Sequence, residues 1–217
     1  MNLFKEILDN KHVLLQLVQQ YLKLKYRRSF LGYFWTLLNP LLMLFVLAIV
    51  FSALLKVEFV NFVLLLFAGL VPWNMFSGTV IQSLSTFINN ENLIKKIYIP
   101  KILFPLSVSI ATFIDSLIFF ILIFPLTLVI GGKLTIYLFM LIPAFFLLFL
   151  FTLAISLISS LLTVYFRDFQ WLIPVFMQAL FFLTPILYDK SEIFGYLSWF
   201  NNINPITPFI YLSLIHI

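Results

Sequence analysis

The residues able to do chemistry are few, and their spacing excludes most kinds of it. The chain has no cysteine, so disulfides and thiolate metal sites are ruled out. Its two histidines, His12 and His216, stand at opposite ends and form no ligand cluster. No G-x-x-x-x-G-K-[ST] pattern occurs, so ATP cannot be cradled by that route. One ionisable residue, Asp115, lies well inside a long apolar stretch. A charge in hydrocarbon is costly, which makes Asp115 a functional candidate by default. On residues alone it either sits on a transport pathway or bonds to a neighbouring helix. A lone carboxylate makes neither an ion-coupled transporter nor an intramembrane hydrolase, since both bring at least two polar groups together.

The elements that would position these groups belong to a membrane. Hydrophobic residues make up 63% of the chain and charged ones 10%, where a soluble domain is about half apolar and roughly a quarter charged. We read an all-α polytopic membrane protein, a single transmembrane domain over 1–217 with no room for a soluble catalytic domain. The net charge of +5 comes from cations beside the spans, so membrane orientation explains it better than nucleic acid does. No signal peptide is visible, because charges continue to Arg28 before the first long apolar run.

Residues 1–31 do not span. On a helical wheel, His12, Gln16, Gln19, Gln20, Lys23 and Arg27 share one face, and Leu14, Leu17, Val18, Tyr21 and Leu24 the other. That pattern predicts an interfacial amphipathic helix. It serves either as a simple surface anchor or as an anchor that also touches a cytoplasmic partner. Five apolar stretches follow, each near the length a crossing helix needs: Phe34–Leu55, Phe62–Phe87, Leu103–Ile130, Tyr137–Tyr165 and Trp171–Leu187. With the N-terminus inside, the cytoplasmic side holds Lys5, Lys11, Lys23, Lys25, Arg27, Arg28, Lys95, Lys96, Lys101 and Arg167. The outside holds only Lys56, Lys133 and Lys190. This asymmetry sets the orientation.

The same asymmetry places the charged island Asn89–Lys101 in the cytoplasm. A short helix fits it. Asn89 or Asn90 can cap, Glu91 lies in the first turn, and Lys95 and Lys96 lie in the last. Glu91 and Lys95 form an i,i+4 pair, while Leu93, Ile94 and Ile97 make an apolar stripe and Pro100 ends the helix. The island is either a solvated loop or a docking knob for a cytoplasmic protein. Farther on, Arg167 and Asp168 mark a cytoplasmic turn between the last two spans. Residues 188–208 are too polar and proline-broken to span, yet too aromatic for a solvated loop, which predicts a re-entrant segment on the outer side. The apolar run Phe209–Ile217 is shorter than a span; it is either the start of an incomplete sixth helix, the favoured reading, with the reading frame expected to continue, or a last segment that stays in the outer interface.

Three segments carry a family likeness: Y-R-R-S-F-L-G-Y-F-W-T-L-L-N-P-L-L from Tyr26, N-L-I-K-K-I-Y-I-P-K-I-L-F-P-L-S from Asn92, and Y-F-R-D-F-Q-W from Tyr165. The third continues through F-F-L-T-P-I-L-Y, ending at Tyr188, and N-P-I-T-P, Asn204–Pro208. In this order the chain resembles the membrane subunit of ABC-type polysaccharide exporters, the group exporting O-antigen, capsular polysaccharide and teichoic acid. The resemblance implies a homodimeric permease in the cytoplasmic membrane, six spans per subunit, moving a lipid-linked polymer outward. The resemblance further implies that no cofactor is bound by this chain, ATP and Mg belonging to separate ATPase subunits. It also implies that Glu91, Asn92, Leu93, Ile94, Lys95, Lys96 and Ile97 couple to the ATPase, together with the N-terminal region bearing Lys23, Tyr26, Arg27, Arg28 and Phe30. An exit gate would fall at Ser191–Ile203, including Ile193, Phe194, Trp199 and Phe200.

Two rival classes are a membrane-embedded glycolipid transferase and an ion-coupled transporter. The first needs a carboxylate or histidine cluster near one face, which the sequence does not display. The second would use Asp115 as its coupling site.

Overall fold

The computed structural model describes residues 3–25, 27–122, 125, 141–188 and 198–215, and among them every regular element is helical. The N-terminal segment is two helices, α1 (Leu3–Asp9) and α2 (Lys11–Lys25). The amphipathic helix expected to reach Leu31 therefore stops earlier. After Lys25 the chain turns, with Arg28 at φ 67° and Gly32 at φ 52°. Two left-handed residues within five positions are incompatible with a continuing right-handed helix.

A 3₁₀ turn at Gly32–Phe34 leads into α3 (Trp35–Leu55), and α4 (Phe59–Ser83) follows. The helix then breaks into two short pieces, α5 (Thr86–Asn89) and α6 (Glu91–Lys96). The long helices resume with α7 (Leu103–Ile121), α8 (Leu141–Tyr165) and α9 (Phe169–Leu183), and α10 (Ser198–Ile203) and α11 (Thr207–Ile215) close the described chain.

Among the described residues, four segments are long and apolar enough to cross a membrane: Gly32–Leu55, Phe59–Ser83, Leu103–Ile121 and Leu141–Tyr165. They match four of the five expected stretches. The second ends at Ser83 rather than Phe87, because Phe87 lies in α5. The expected fifth is present as α9, an apolar helix of 15 residues. At 1.5 Å per residue it covers about 22 Å, short of a hydrocarbon core of about 30 Å. Pro185 follows its extended end at Thr184, as expected for a residue that restricts its predecessor to extended backbone.

The bundle is built around α4, which packs against α3, α7, α8, α9 and α11. Its stretch from Leu66 to Ser77 is buried at every position except Asn74. Phenylalanine supplies much of the interior: Phe67 meets Phe119 at 4.7 Å between ring centroids, Phe113 meets Phe149 at 4.6 Å, and Phe120 stacks on Phe145 at 5.0 Å. Lipid tails are as apolar as these rings, so close packing rather than hydrophobicity holds such helices together.

Small residues set the closest approaches. On α8, Thr152, Ser156, Ser159, Ser160 and Thr163 are all buried, at spacings that put them on one face. Ser156 Oγ lies 3.0 Å from Ser109 Oγ of α7, and Thr112 Oγ1 of α7 lies 2.6 Å from Thr79 Oγ1 of α4. Gly69 of α4 makes room for Ile186: a Cβ there would stand 2.9 Å from the Ile186 Cγ2. By contrast α3 buries only Thr36, Leu44 and Ala48 and leaves Leu42, Phe45, Val46 and Ile49 exposed, an apolar face suited to lipid.

Candidate functional site

The charged groups collect at the end of the bundle that carries α2, α5 and α6. Asn90 breaks α5 from α6 at φ −106°, ψ 15°. Its carbonyl accepts from the Leu93 and Ile94 amides, both at 3.0 Å. The expected side-chain cap is absent. Asn89 Nδ2 instead donates to Ser85 Oγ at 3.0 Å, and Asn90 Nδ2 to the Thr86 carbonyl at 2.7 Å. The i,i+4 pair does form, with Lys95 Nζ 2.5 Å from Glu91 Oε1. That hydrogen bond, then the Lys95 charge, holds the Glu91 carboxyl below its ordinary range, and Arg167 adds a smaller pull of the same sign. Arg167 and Asp168 are exposed in the turn between α8 and α9. The turn and α6 thus share one electrostatic neighbourhood.

The expected apolar stripe divides in two, because α6 ends at Lys96 and Ile97 is already extended at φ −133°, ψ 137°, before the end expected at Pro100. Leu93 and Ile94 are half-buried against the chain's own cluster of Leu17, Leu103 and Phe104, which Val13, Leu14 and Phe87 also join. Ile97 and Tyr98, at 54% and 91% exposed, point away from it. Asn92, Lys95 and Lys96 are exposed as well. The pattern of the short helix was readable, but the occupant of its inner face was not. Tyr98, outside the helix and absent from the expected set, is the most exposed aromatic of the island.

On the N-terminal side, Lys23, Arg27, Arg28 and Phe30 are exposed, while Tyr26 lies outside the described residues. Gln16, Gln19, Gln20, Lys23, Leu24 and Arg27 form one open polar shelf along α2. The opposite side of α2 packs on α7. There Lys25 Nζ approaches Asp115 Oδ2 to 2.6 Å, and Tyr33 Oη donates to Asp115 Oδ1 at 2.5 Å. The two side chains of the ion pair are 27% and 11% exposed. Of the two readings left open for Asp115, the structure displays the bond to a neighbouring element. The partners are a lysine of the N-terminal helix and a tyrosine at the start of the Gly32–Leu55 segment. Beside the pair, a cavity of about 380 Å³ opens between α2, the end of α4, α5 and α7, lined by Gln20, Tyr21, Lys25, Gln82, Asn89 and Asn90 among others.

At the opposite end, Trp199 is 59% exposed and Phe200 half-buried, their rings T-shaped at 6.2 Å. Ile193 and Phe194 lie outside the described residues. The segment is fastened to the core by the two proline motifs. Asn204 Nδ2 donates to Thr184 Oγ1 at 3.0 Å, and its Oδ1 accepts from the Ile206 amide at 3.1 Å. Ile186, Ile206 and Ile210 are fully buried next to them.

Such an arrangement can carry force and present surfaces: exposed cations and an apolar tip at one end, a pinned aromatic segment at the other. Comparison with known proteins bears on what it serves. The family model of the ABC-2 type transporter matches residues 12–216. The O-antigen export system permease protein RfbA of Myxococcus xanthus is 36% identical over 195 residues, covering 88% of this chain and 74% of the relative. A protein of the same description from Klebsiella pneumoniae is 31% identical over 195 residues, covering 87% and 73%.

Proposed function

This chain belongs to the ABC-2 type transporter family, and we propose that it is the permease subunit of an ATP-driven exporter of a lipid-linked, O-antigen-type polysaccharide. The observation that carries the reading is its 31–36% identity, over most of the chain, to proteins described as O-antigen export permeases. The absence of a phosphate-cradling loop accords with energy supplied by a separate ABC ATPase, which binds the nucleotide and Mg. The permease is a multi-pass protein of the cytoplasmic membrane working as a homodimer. Its N-terminus and α6 lie in the cytoplasm, in line with the lysine and arginine asymmetry. Residues 1–217 form one transmembrane domain, with α9 as a fifth crossing and 188–208 as the outer re-entrant gate.

Within this reading the α6 island is the ATPase contact. Lys95, Lys96 and the turn at Arg167 and Asp168 supply the charged rim, and Ile97 with Tyr98 the apolar centre that interfaces favour. Leu93 and Ile94 transmit the push, because they bear on Leu103 and Phe104 at the start of α7. Lys23, Arg27, Arg28 and Phe30 extend the same surface along the N-terminal region. The ion-coupled alternative has no comparable support, since both Asp115 oxygens already accept from Lys25 and Tyr33.

The test is complementation. In cells lacking their own polysaccharide permease, surface polymer should return only when this chain and its ATPase partner are both expressed. Surface polymer without any ATPase subunit would overturn the reading.

A further inference from the structure

The most buried helix of the bundle has one anomaly. Between Leu66 and Ser77 of α4 the only exposed residue is polar, Asn74, and it lies inside a 25-residue membrane-crossing segment. An amide facing hydrocarbon leaves its donors and acceptor unpaired, which is strongly unfavourable. Asn74 therefore marks a side of α4 that does not face lipid.

That side continues as a stripe. Asn74, Gly78 and Gln82 recur at i, i+4 and i+8 and line one cleft of about 100 Å³ with Thr112, Asp115 and Ser116 of α7. The Gln82 Oε1 is buried there without a hydrogen-bond partner. Gly78 leaves open space above the backbone: a Cβ there would meet only the Gln82 amide nitrogen, at 3.7 Å. The Lys25–Asp115 pair sits in this wall. Gln82 and Lys25 also border the 380 Å³ cavity at the α2 end, so the two spaces adjoin through the same side chains.

We propose that the cleft between α3, α4 and α7 is a water-filled, polyol-binding wall of the export route, with Asn74, Gln82 and Ser116 hydrogen-bonding passing sugar hydroxyls. It rests on the exporter reading for the identity of the polyol, but not for the hydration of the cleft. Amides and hydroxyls suit this ligand. Each offers both a donor and an acceptor to a hydroxyl, and a single such bond, exchanged against water, is too weak to hold a sliding chain for long. Gly78 allows a sugar ring to approach α4 closely.

The natural absence of cysteine makes the test direct. Asn74→Cys, Ser116→Cys and, as a lipid-facing control on α3, Val46→Cys are expressed with the ATPase partner. Inverted membrane vesicles are then treated with a charged, water-soluble thiosulfonate reagent. A thiol reacts as its thiolate, which hydrocarbon suppresses, so labelling at 74 and 116 should run at least about tenfold faster than at 46. In membranes from cells that make the polymer, with ATP withheld, labelling at 74 should slow severalfold relative to cells blocked in the first sugar transfer. Labelling at 74 as slow as at 46, or an Asn74→Cys disulfide between two copies, overturns the proposal, because the cleft is then dry or covered. Fast labelling that the polymer does not slow overturns the polyol assignment. Neither result touches the exporter reading, which fails separately if surface polymer does not depend on the unaltered chain.

Discussion

Lys25 Nζ lies 2.6 Å from Asp115 Oδ2, joining the last residue of an N-terminal helix to the interior of α7 across ninety positions of sequence. The pair, with Tyr33 on the other carboxylate oxygen, closes the turn that contains the left-handed Arg28 and Gly32. It ties the start of α3 and the end of α2 to one point on α7. Motion of α2 under an ATPase would reach α3 and α7 together.

The first prediction separates the roles of this carboxylate. Asp115→Asn keeps an oxygen for the Tyr33 hydroxyl, whereas Asp115→Leu leaves both Lys25 and Tyr33 without it. A hydrogen bond to a charged group is worth about 2 kcal/mol, so Asp115→Leu should lower the unfolding midpoint in detergent by roughly 5 °C. Asp115→Asn should lower it less. Combining Asp115→Leu with Lys25→Met should cost less than the sum of the two single losses, because both remove the same bond. Export by Asp115→Asn should persist at wild-type abundance in the membrane. Its loss at unchanged abundance would mark Asp115 as an ion carrier.

The second prediction divides the α6 stripe by where its side chains point. Ile97→Asp and Tyr98→Ala remove exposed groups and should leave insertion and thermal stability unchanged while weakening ATPase binding. Loss of an apolar anchor of about 2 kcal/mol corresponds to roughly 30-fold in affinity. Leu93→Asp and Ile94→Asp strike the chain's own packing against Leu17, Leu103 and Phe104, so they should first reduce the amount of folded protein. Quantitative co-purification with the ATPase, beside membrane abundance, distinguishes the two pairs. Normal co-purification by the Ile97→Asp/Tyr98→Ala variant would remove this surface from the interface.

How far the sequence discloses this depends on the kind of contact. The helix at Glu91–Lys96 follows from local charge order and the apolar spans from length; of the five spans expected, four reach crossing length among the described residues and the fifth, α9, is shorter. Which face a span buries is harder to read, because nearly every residue in it is apolar and periodicity fades. The Thr152, Ser156, Ser159, Ser160, Thr163 series was the available signal on α8, since small hydroxyls at helical spacing in a membrane mark the packed face. Asn74 was a comparable signal on α4. The Lys25–Asp115 pair had none: a lysine near an interface and an acid inside a span each satisfy local rules without naming the other. The same limit hid the inward packing of Leu93 and Ile94, whose partners come from α2 and α7.

The third prediction concerns the anchor of the segment beyond α9. Asn204→Ala deletes the bond to Thr184 and leaves the Ile206 amide without its acceptor. An orphaned buried donor costs about 1–3 kcal/mol. Thr184→Val removes the same bond and also the one its hydroxyl donates to the Leu180 carbonyl at 2.6 Å, so the double variant should lose less than the sum of the two single losses, because the shared bond is counted once. Thermal unfolding of the three purified variants provides the check. Strict additivity would mean that the two side chains do not act on one another.

The last prediction tests the closest approach in the bundle. Gly69 of α4 is buried, and a Cβ at that position would sit 2.9 Å from Ile186 Cγ2 and 3.5 Å from Ile186 Cβ. Two effects compete in Gly69→Ala. Alanine gains about 1 kcal/mol of helix propensity over glycine, but overpacking a close contact costs about 1–3 kcal/mol. Ile186 is fully buried and follows a proline, so it has little freedom to retreat, and overpacking should win. Ile186→Ala removes the offending methyl and leaves only the ordinary contact to Cβ, at the expense of a cavity costing about 2–5 kcal/mol. The double variant should therefore be more stable than the sum of the two single losses, since the methyl introduced by Gly69→Ala partly fills the space and keeps its propensity gain. The readout is a double-variant cycle of unfolding midpoints in detergent. Additive losses would mean that α4 and the chain after α9 do not meet at Gly69, and Gly69→Ala more stable than the unaltered chain would mean that Ile186 yields.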